Sequence, residues 1–152
     1  VITPLENIII KTLCRLLIPF IQLFGLYVIV HGHGSPGGGF QGGCILAASF
    51  VLVVVAFDLP EAKRRFSEKL NNIFCSLGVF IYAWTGWMCL LLGANFLDYG
   101  ILNKILPVNP VMARYYGMFS IEVGVGITVM AIMVSLFLDL VTGGKHEEAL
   151  DE

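Results

Sequence analysis

Two histidines stand two residues apart in the run His31-Gly-His-Gly-Ser-Pro-Gly-Gly-Gly-Phe-Gln-Gly-Gly43, which holds seven glycines and one proline in thirteen residues. An imidazole can carry a proton near neutral pH, share hydrogen bonds or bind a metal. Gln41 adds an amide to the same run, and Glu122 and Asp139 place carboxylates inside otherwise apolar stretches. A centred acidic side chain costs roughly 2.5–3.5 kcal/mol on membrane-insertion scales, and less near a helix end. Its presence in a spanning segment reads as a group that meets a proton or a cation. Glu122, His31, His33, Gln41 and Asp139 are therefore the candidate ion-path residues. Two plainer readings stay open. The histidines can cap the end of the preceding helix, and Glu122 can be hydrated or paired with Arg114.

Other chemistries fail on context. Gly32, Gly34 and Gly37 formally match G-x-G-x-x-G. A dinucleotide loop needs a preceding strand, and an apolar helical segment precedes this one. Pro36 also removes a backbone donor. A metal site needs three or four ligands, and the only further histidine is His146. Haem ligands of a helical cytochrome lie inside helices, whereas these histidines lie in a glycine run. The four cysteines, at 14, 44, 75 and 89, make no C-x-x-C pair and read as packing residues. No metal, no bound cofactor and no catalytic centre are expected in this chain.

The elements that must position these residues are membrane helices. Only 13% of the 152 residues are charged and 57% are hydrophobic, against about a quarter charged in a typical soluble domain. Residues 16–57 and 70–97 contain no Asp, Glu, Lys or Arg. Apolar segments predict spanning helices over about 13–30, 40–57, 73–96 and 118–140, because about 20 helical residues cross the hydrocarbon core. Val1 to Thr12 carry Glu6 and Lys11 and do not resemble a signal peptide. With four helices, Lys11, Arg15, Lys63, Arg64, Arg65, Lys69 and Lys145 share one side, and Lys104 and Arg114 the other. The bias predicts that both termini are cytoplasmic. The fold class is thus all-α, a single multi-pass domain over 1–152.

The connections read differently from one another. Residues 58–72 form a charged, weakly amphipathic loop with Phe66 and Leu70 four apart. Residues 97–117 carry Pro107, Pro110 and an Arg114-Tyr-Tyr116 group suited to a membrane interface. The tail from Gly143 is acidic and frays without a partner. Small residues mark where helices approach: Gly38 and Gly42, Gly39 and Gly43, then Gly124 and Gly126 beside Glu122. A further stripe, Gly78, Tyr82, Thr85, Cys89 and Gly93, lies on one face of the third helix.

The block from Leu26 to Gly43, with its His-Gly-His-Gly-Ser-Pro-Gly-Gly-Gly-Phe-Gln-Gly-Gly core, resembles the signature of the MnhB/MrpB membrane subunits of Mrp-type multisubunit Na+/H+ antiporters. Related modules occur in membrane-bound respiratory hydrogenase and sulfur-reducing complexes. The resemblance extends over the chain as four helices. It includes Ile121-Glu-Val-Gly-Val125, where the family usually has Asp-Ile-Gly-Val. It implies a small subunit that contributes to or scaffolds the Na+ or H+ path in the cell membrane of a prokaryote. The implied partners are other membrane subunits of an antiporter or hydrogenase complex, together with lipid, and not nucleic acid. The larger partners would carry the main proton channel and any redox cofactor. The alternative is a purely structural scaffold with no ion-path residues.

Overall fold

The structure, a computed structural model, describes residues 4–34, 36–57 and 67–143, with backbone only for 4–7. The basic stretch Lys63 to Arg65, Phe66, His146 and the acidic tail lie outside the described residues. Among the described residues there are four α-helices: α1 (Pro4–Val30), α2 (Gly39–Phe57), α3 (Glu68–Leu91) and α4 (Pro110–Thr142). A short 3-10 turn, Gly32–Gly34, lies between α1 and α2, and another, Tyr99–Lys104, between α3 and α4. Each of the four helices is long and apolar enough to cross a membrane.

Helix ends follow capping chemistry more closely than hydropathy. α1 starts nine residues before the apolar segment, with Pro4 at its first position, and runs on through Pro19. Proline suits a first turn because its missing N–H would be unpaired there anyway. α3 starts where the Ser67 hydroxyl accepts a hydrogen bond from the Leu70 N–H at 3.3 Å. It stops five residues before the apolar run does. Gly93, at φ +84°, turns the chain, and the Ala94 N–H donates to the Cys89 carbonyl at 3.1 Å. Gly93 therefore stands outside the packing stripe expected of it. Nothing lies within 4 Å of where its β-carbon would be. Its glycine is needed for backbone shape, not for close approach. α4 starts eight residues before Met118, again with a proline in its first turn.

The helices form a row in the order α1–α2–α4–α3, and α1 touches α4 only lightly. Glycine seams allow this. A β-carbon on Gly42 would stand 2.8 Å from the Gly25 carbonyl oxygen of α1. One on Gly43 would stand 2.6 Å from the Gly126 carbonyl oxygen of α4. Gly78 and Gly124 face each other across α3 and α4, at 2.6 and 3.0 Å by the same measure. The glycines at the start of α2 thus divide between two neighbours. Gly39 and Gly43 meet α4, while Gly42 meets α1.

Ile29, Leu46, Ala47, Met130, Val134 and Leu138 fill the main core between α1, α2 and α4. A smaller cluster of Cys89, Leu102 and Ala113 fixes the 99–104 turn against α3 and α4. The Arg15 guanidinium lies 5.5 Å over the Phe57 ring and ties the first half of α1 to the end of α2. The outer flank is apolar: Leu16, Phe20 and Leu23 of α1 are each more than half exposed. A contiguous apolar flank of this kind is unusual on a monomeric soluble protein.

Candidate ion site at the glycine hairpin

The hairpin between α1 and α2 is tied at both ends. The His31 N–H continues the α1 ladder to the Tyr27 carbonyl at 3.0 Å. The Gly38 N–H donates to Gln41 Oε1 at 3.2 Å, so the amide of Gln41 reaches back to hold the start of α2. Pairing of this kind satisfies a donor that a helix start leaves free.

Glu122 lies twelve residues into α4, about 18 Å from its start. Its side chain points at the hairpin. A β-carbon on Gly32 would stand 2.6 Å from both carboxylate oxygens and 2.8 Å from Cδ. One on Gly38 would stand 3.3 Å from Oε1. One on Gly39 would collide with the Glu122 carbonyl oxygen, so α2 meets α4 backbone to backbone at this level. Three glycines from three chain positions therefore leave the space that the glutamate occupies. None of the three has a positive φ, so their small size is what matters.

Glu122 Oε2 is buried and finds no hydrogen-bond donor among the described residues. A buried acceptor atom without a donor is rare in a folded protein. A proton, a cation or a donor from a neighbouring chain would each complete it. Arg114 is not that partner. It lies eight residues away along α4, about 12 Å, with its guanidinium against Gly100.

The histidines flank Gly32 but turn elsewhere. The His31 ring stacks on Tyr27 at 4.2 Å, and its Nδ1 lies 3.2 Å from the Tyr27 carbonyl oxygen. That is the arrangement of a helix-end cap. The His33 ring sits edge-on to Tyr115 of α4 at 4.7 Å. Each ring thereby pins one side of Gly32, and both side chains are exposed. Among the described residues no three His, Cys, Asp or Glu side chains gather as metal ligands.

Asp139 does not join this site. It lies 17 residues beyond Glu122, about 25 Å along α4, and lines a cavity with Glu68, Asn71, Asn72 and Ser135. Ile29 packs beneath the hairpin against Gly42 and Gly126. Sequence reasoning missed two features. Gly32 read as part of a hairpin rather than as the floor of a carboxylate pocket. Asn71 read as the end of a loop, although an Asn-Asn pair beside an apolar run was a visible polar signal.

The model of a domain described as related to the MnhB subunit of the Na+/H+ antiporter matches residues 9–135, which include the hairpin and Glu122. The chain belongs to the MnhB family. Relatives agree over nearly the full length. A protein of Staphylococcus aureus (strain Newman) named "Putative antiporter subunit mnhB2" is 28% identical over 141 residues, covering 92% of this chain and 97% of its own. A protein of the same name from Staphylococcus haemolyticus (strain JCSC1435) is 29% identical over 141 residues, with the same coverage. In this MnhB chain the family match and the four apolar helices agree on a multi-pass membrane protein.

Proposed function

We propose that this chain is an ion-path subunit of a multisubunit Na+/H+ antiporter, and that Glu122 exchanges a proton or Na+ there. The observation that carries the reading is the Glu122 carboxylate, enclosed by Gly32, Gly38 and Gly39 with one oxygen buried and undonated. An ionisable group in that state inside a spanning helix is suited to alternate between protonated and cation-paired forms. Gln41 and the two histidines act by holding the hairpin that shapes the pocket. The chain itself contributes no cofactor and no catalytic centre. It sits in the cell membrane with both termini cytoplasmic, which the seven-to-two division of basic residues supports. Its exposed α1 face meets neighbouring subunits or lipid. The names of the relatives favour an antiporter host over a hydrogenase-type respiratory complex.

The test uses inverted membrane vesicles that contain the assembled complex. Glu122→Gln is expected to abolish Na+-driven dissipation of a pH gradient, while native gels show the complex intact. Glu122→Asp keeps an ionisable group and retains part of the exchange. Full exchange in Glu122→Gln would leave only the scaffold reading, which the backbone-to-backbone contact at Gly39 supports on its own. On that reading Gly39→Leu breaks assembly and Glu122 is dispensable.

A further inference from the structure

The opposite end of the α3–α4 pair holds a second polar site. Helices α3 and α4 run antiparallel, so the first turn of α3 faces the last turns of α4. Glu68, Asn71 and Asn72 on one side meet Ser135, Leu138 and Asp139 on the other around a cavity of about 220 Å³. Glu68 with Asn71 or Asn72, and Ser135 with Asp139, are spaced by three or four, so each pair presents one helix face. A single water needs roughly 10–15 Å³ of such space, so the cavity has room for an ion with part of its hydration shell.

Asn71 is the informative residue, because it is only 2% exposed in a spanning helix. Its Nδ2 donates to the Ala131 carbonyl at 2.9 Å and to Ser135 Oγ at 2.7 Å. Those two acceptors fix the amide orientation, since an oxygen facing the Ala131 carbonyl would be repelled. The remaining atom, Oδ1, is buried and has no partner among the described residues. An acceptor left in this way is rare in a folded protein and calls for a donor or a cation. Ser135 Oγ already accepts from Asn71 and keeps a lone pair. The carboxylates of Glu68 and Asp139 line the same space.

We propose that Asn71 Oδ1, Ser135 Oγ and the carboxylates of Glu68 and Asp139 form a binding site for a partly hydrated monovalent alkali cation. All four groups offer oxygen, the donor that hard cations take. The amide and hydroxyl are fixed by hydrogen bonds, whereas Asp139 is exposed. Ser135 lies 13 residues from Glu122, about 20 Å along α4. The chain thus carries one polar site at each end of an apolar, glycine-seamed stretch. The inference does not depend on Glu122 moving ions.

Thermal unfolding of the purified full chain in detergent tests it, with NaCl compared against choline chloride at equal ionic strength. Na+ at about ten times its dissociation constant is expected to raise Tm by roughly 5 °C. Asp139→Asn, at an exposed position, and Glu68→Gln should each remove that shift, and Glu122→Gln should keep it. Retention of 22Na+ by the unaltered chain in equilibrium dialysis gives a second readout that needs no variant. Absence of both the Tm shift and 22Na+ retention overturns the proposal. So does a shift that survives Asp139→Asn and Glu68→Gln, or one that Glu122→Gln alone removes. A shift produced by MgCl2 and not by NaCl overturns the monovalent assignment. Loss of exchange in Glu122→Gln with no Na+ binding here would sink this site and leave the Glu122 reading standing.

Discussion

Replacing Gly32 with alanine perturbs the Glu122 pocket without touching the glutamate. The new methyl would stand 2.6 Å from both carboxylate oxygens, whereas ordinary contact begins at 3.4 Å. The carboxylate must therefore retreat by about 0.8 Å. It is the far end of a flexible side chain, so the retreat costs about 0.5–1.5 kcal/mol in rotamer strain and leaves the helices where they are. Gly32 has no positive φ, so alanine fits its backbone. A displacement near 1 Å at a reacting group can lower a rate by up to about a hundredfold. Exchange is expected to fall between ten- and a hundredfold in inverted vesicles, read by recovery of a pH-sensitive dye after Na+ addition. Assembly on native gels should be unchanged. Gly39→Ala is the contrasting variant. Its methyl meets the Glu122 backbone, which cannot rotate away. Overpacking of that kind costs about 1–3 kcal/mol and should lower the amount of assembled complex. If Gly32→Ala exchanges at the normal rate, or fails to assemble as Gly39→Ala does, the argument that Gly32 shapes a working carboxylate pocket is wrong.

Gly78→Ala should weaken the α3–α4 seam by about 1–3 kcal/mol, because its methyl would stand 2.6 Å from the Gly124 carbonyl oxygen; a lower Tm checks this. Gly93→Ala should cost about 1–2 kcal/mol through its left-handed backbone and leave exchange per assembled complex unchanged. Tyr99 offers a pH test. Burial, helped by Tyr82 and Cys89, pushes its phenol above the ordinary value of 10.0. The neutral form is favoured in the folded chain. Its contribution to stability is thus complete below pH 10 and is lost as pH rises through the raised folded value. Tyr99→Phe should flatten the alkaline fall in Tm, and an unchanged fall would assign it to another group.

Much of this molecule was readable as text. Hydropathy and charge segregation marked four spanning segments, because a helix in lipid needs an unbroken apolar length. The family was readable from the hairpin block, since so glycine-rich a run between apolar segments is rarely matched by chance. Glu122 stood out because a carboxylate among valines and glycines is conspicuous. Helix ends were less legible. Ser67, Gly93 and the prolines at 4 and 110 set them by capping and backbone shape, which hydropathy does not register.

What the sequence determined alone is the solvent of each segment and the identity of the polar residues within it. Tertiary structure decided which of them meet. The helix order α1–α2–α4–α3 brings the hairpin to Glu122 and sends Asp139 to the other end with Asn71. It also divides neighbouring glycines between α1 and α4, and brings Gly32 to the Glu122 carboxylate while the rings of the two histidines that flank it pack on Tyr27 and Tyr115. The physical reason is that a residue's spacing fixes its face on its own helix. Which partner that face meets, and at what depth, depends on the rotation and height of another helix, and those are set by packing across the whole row.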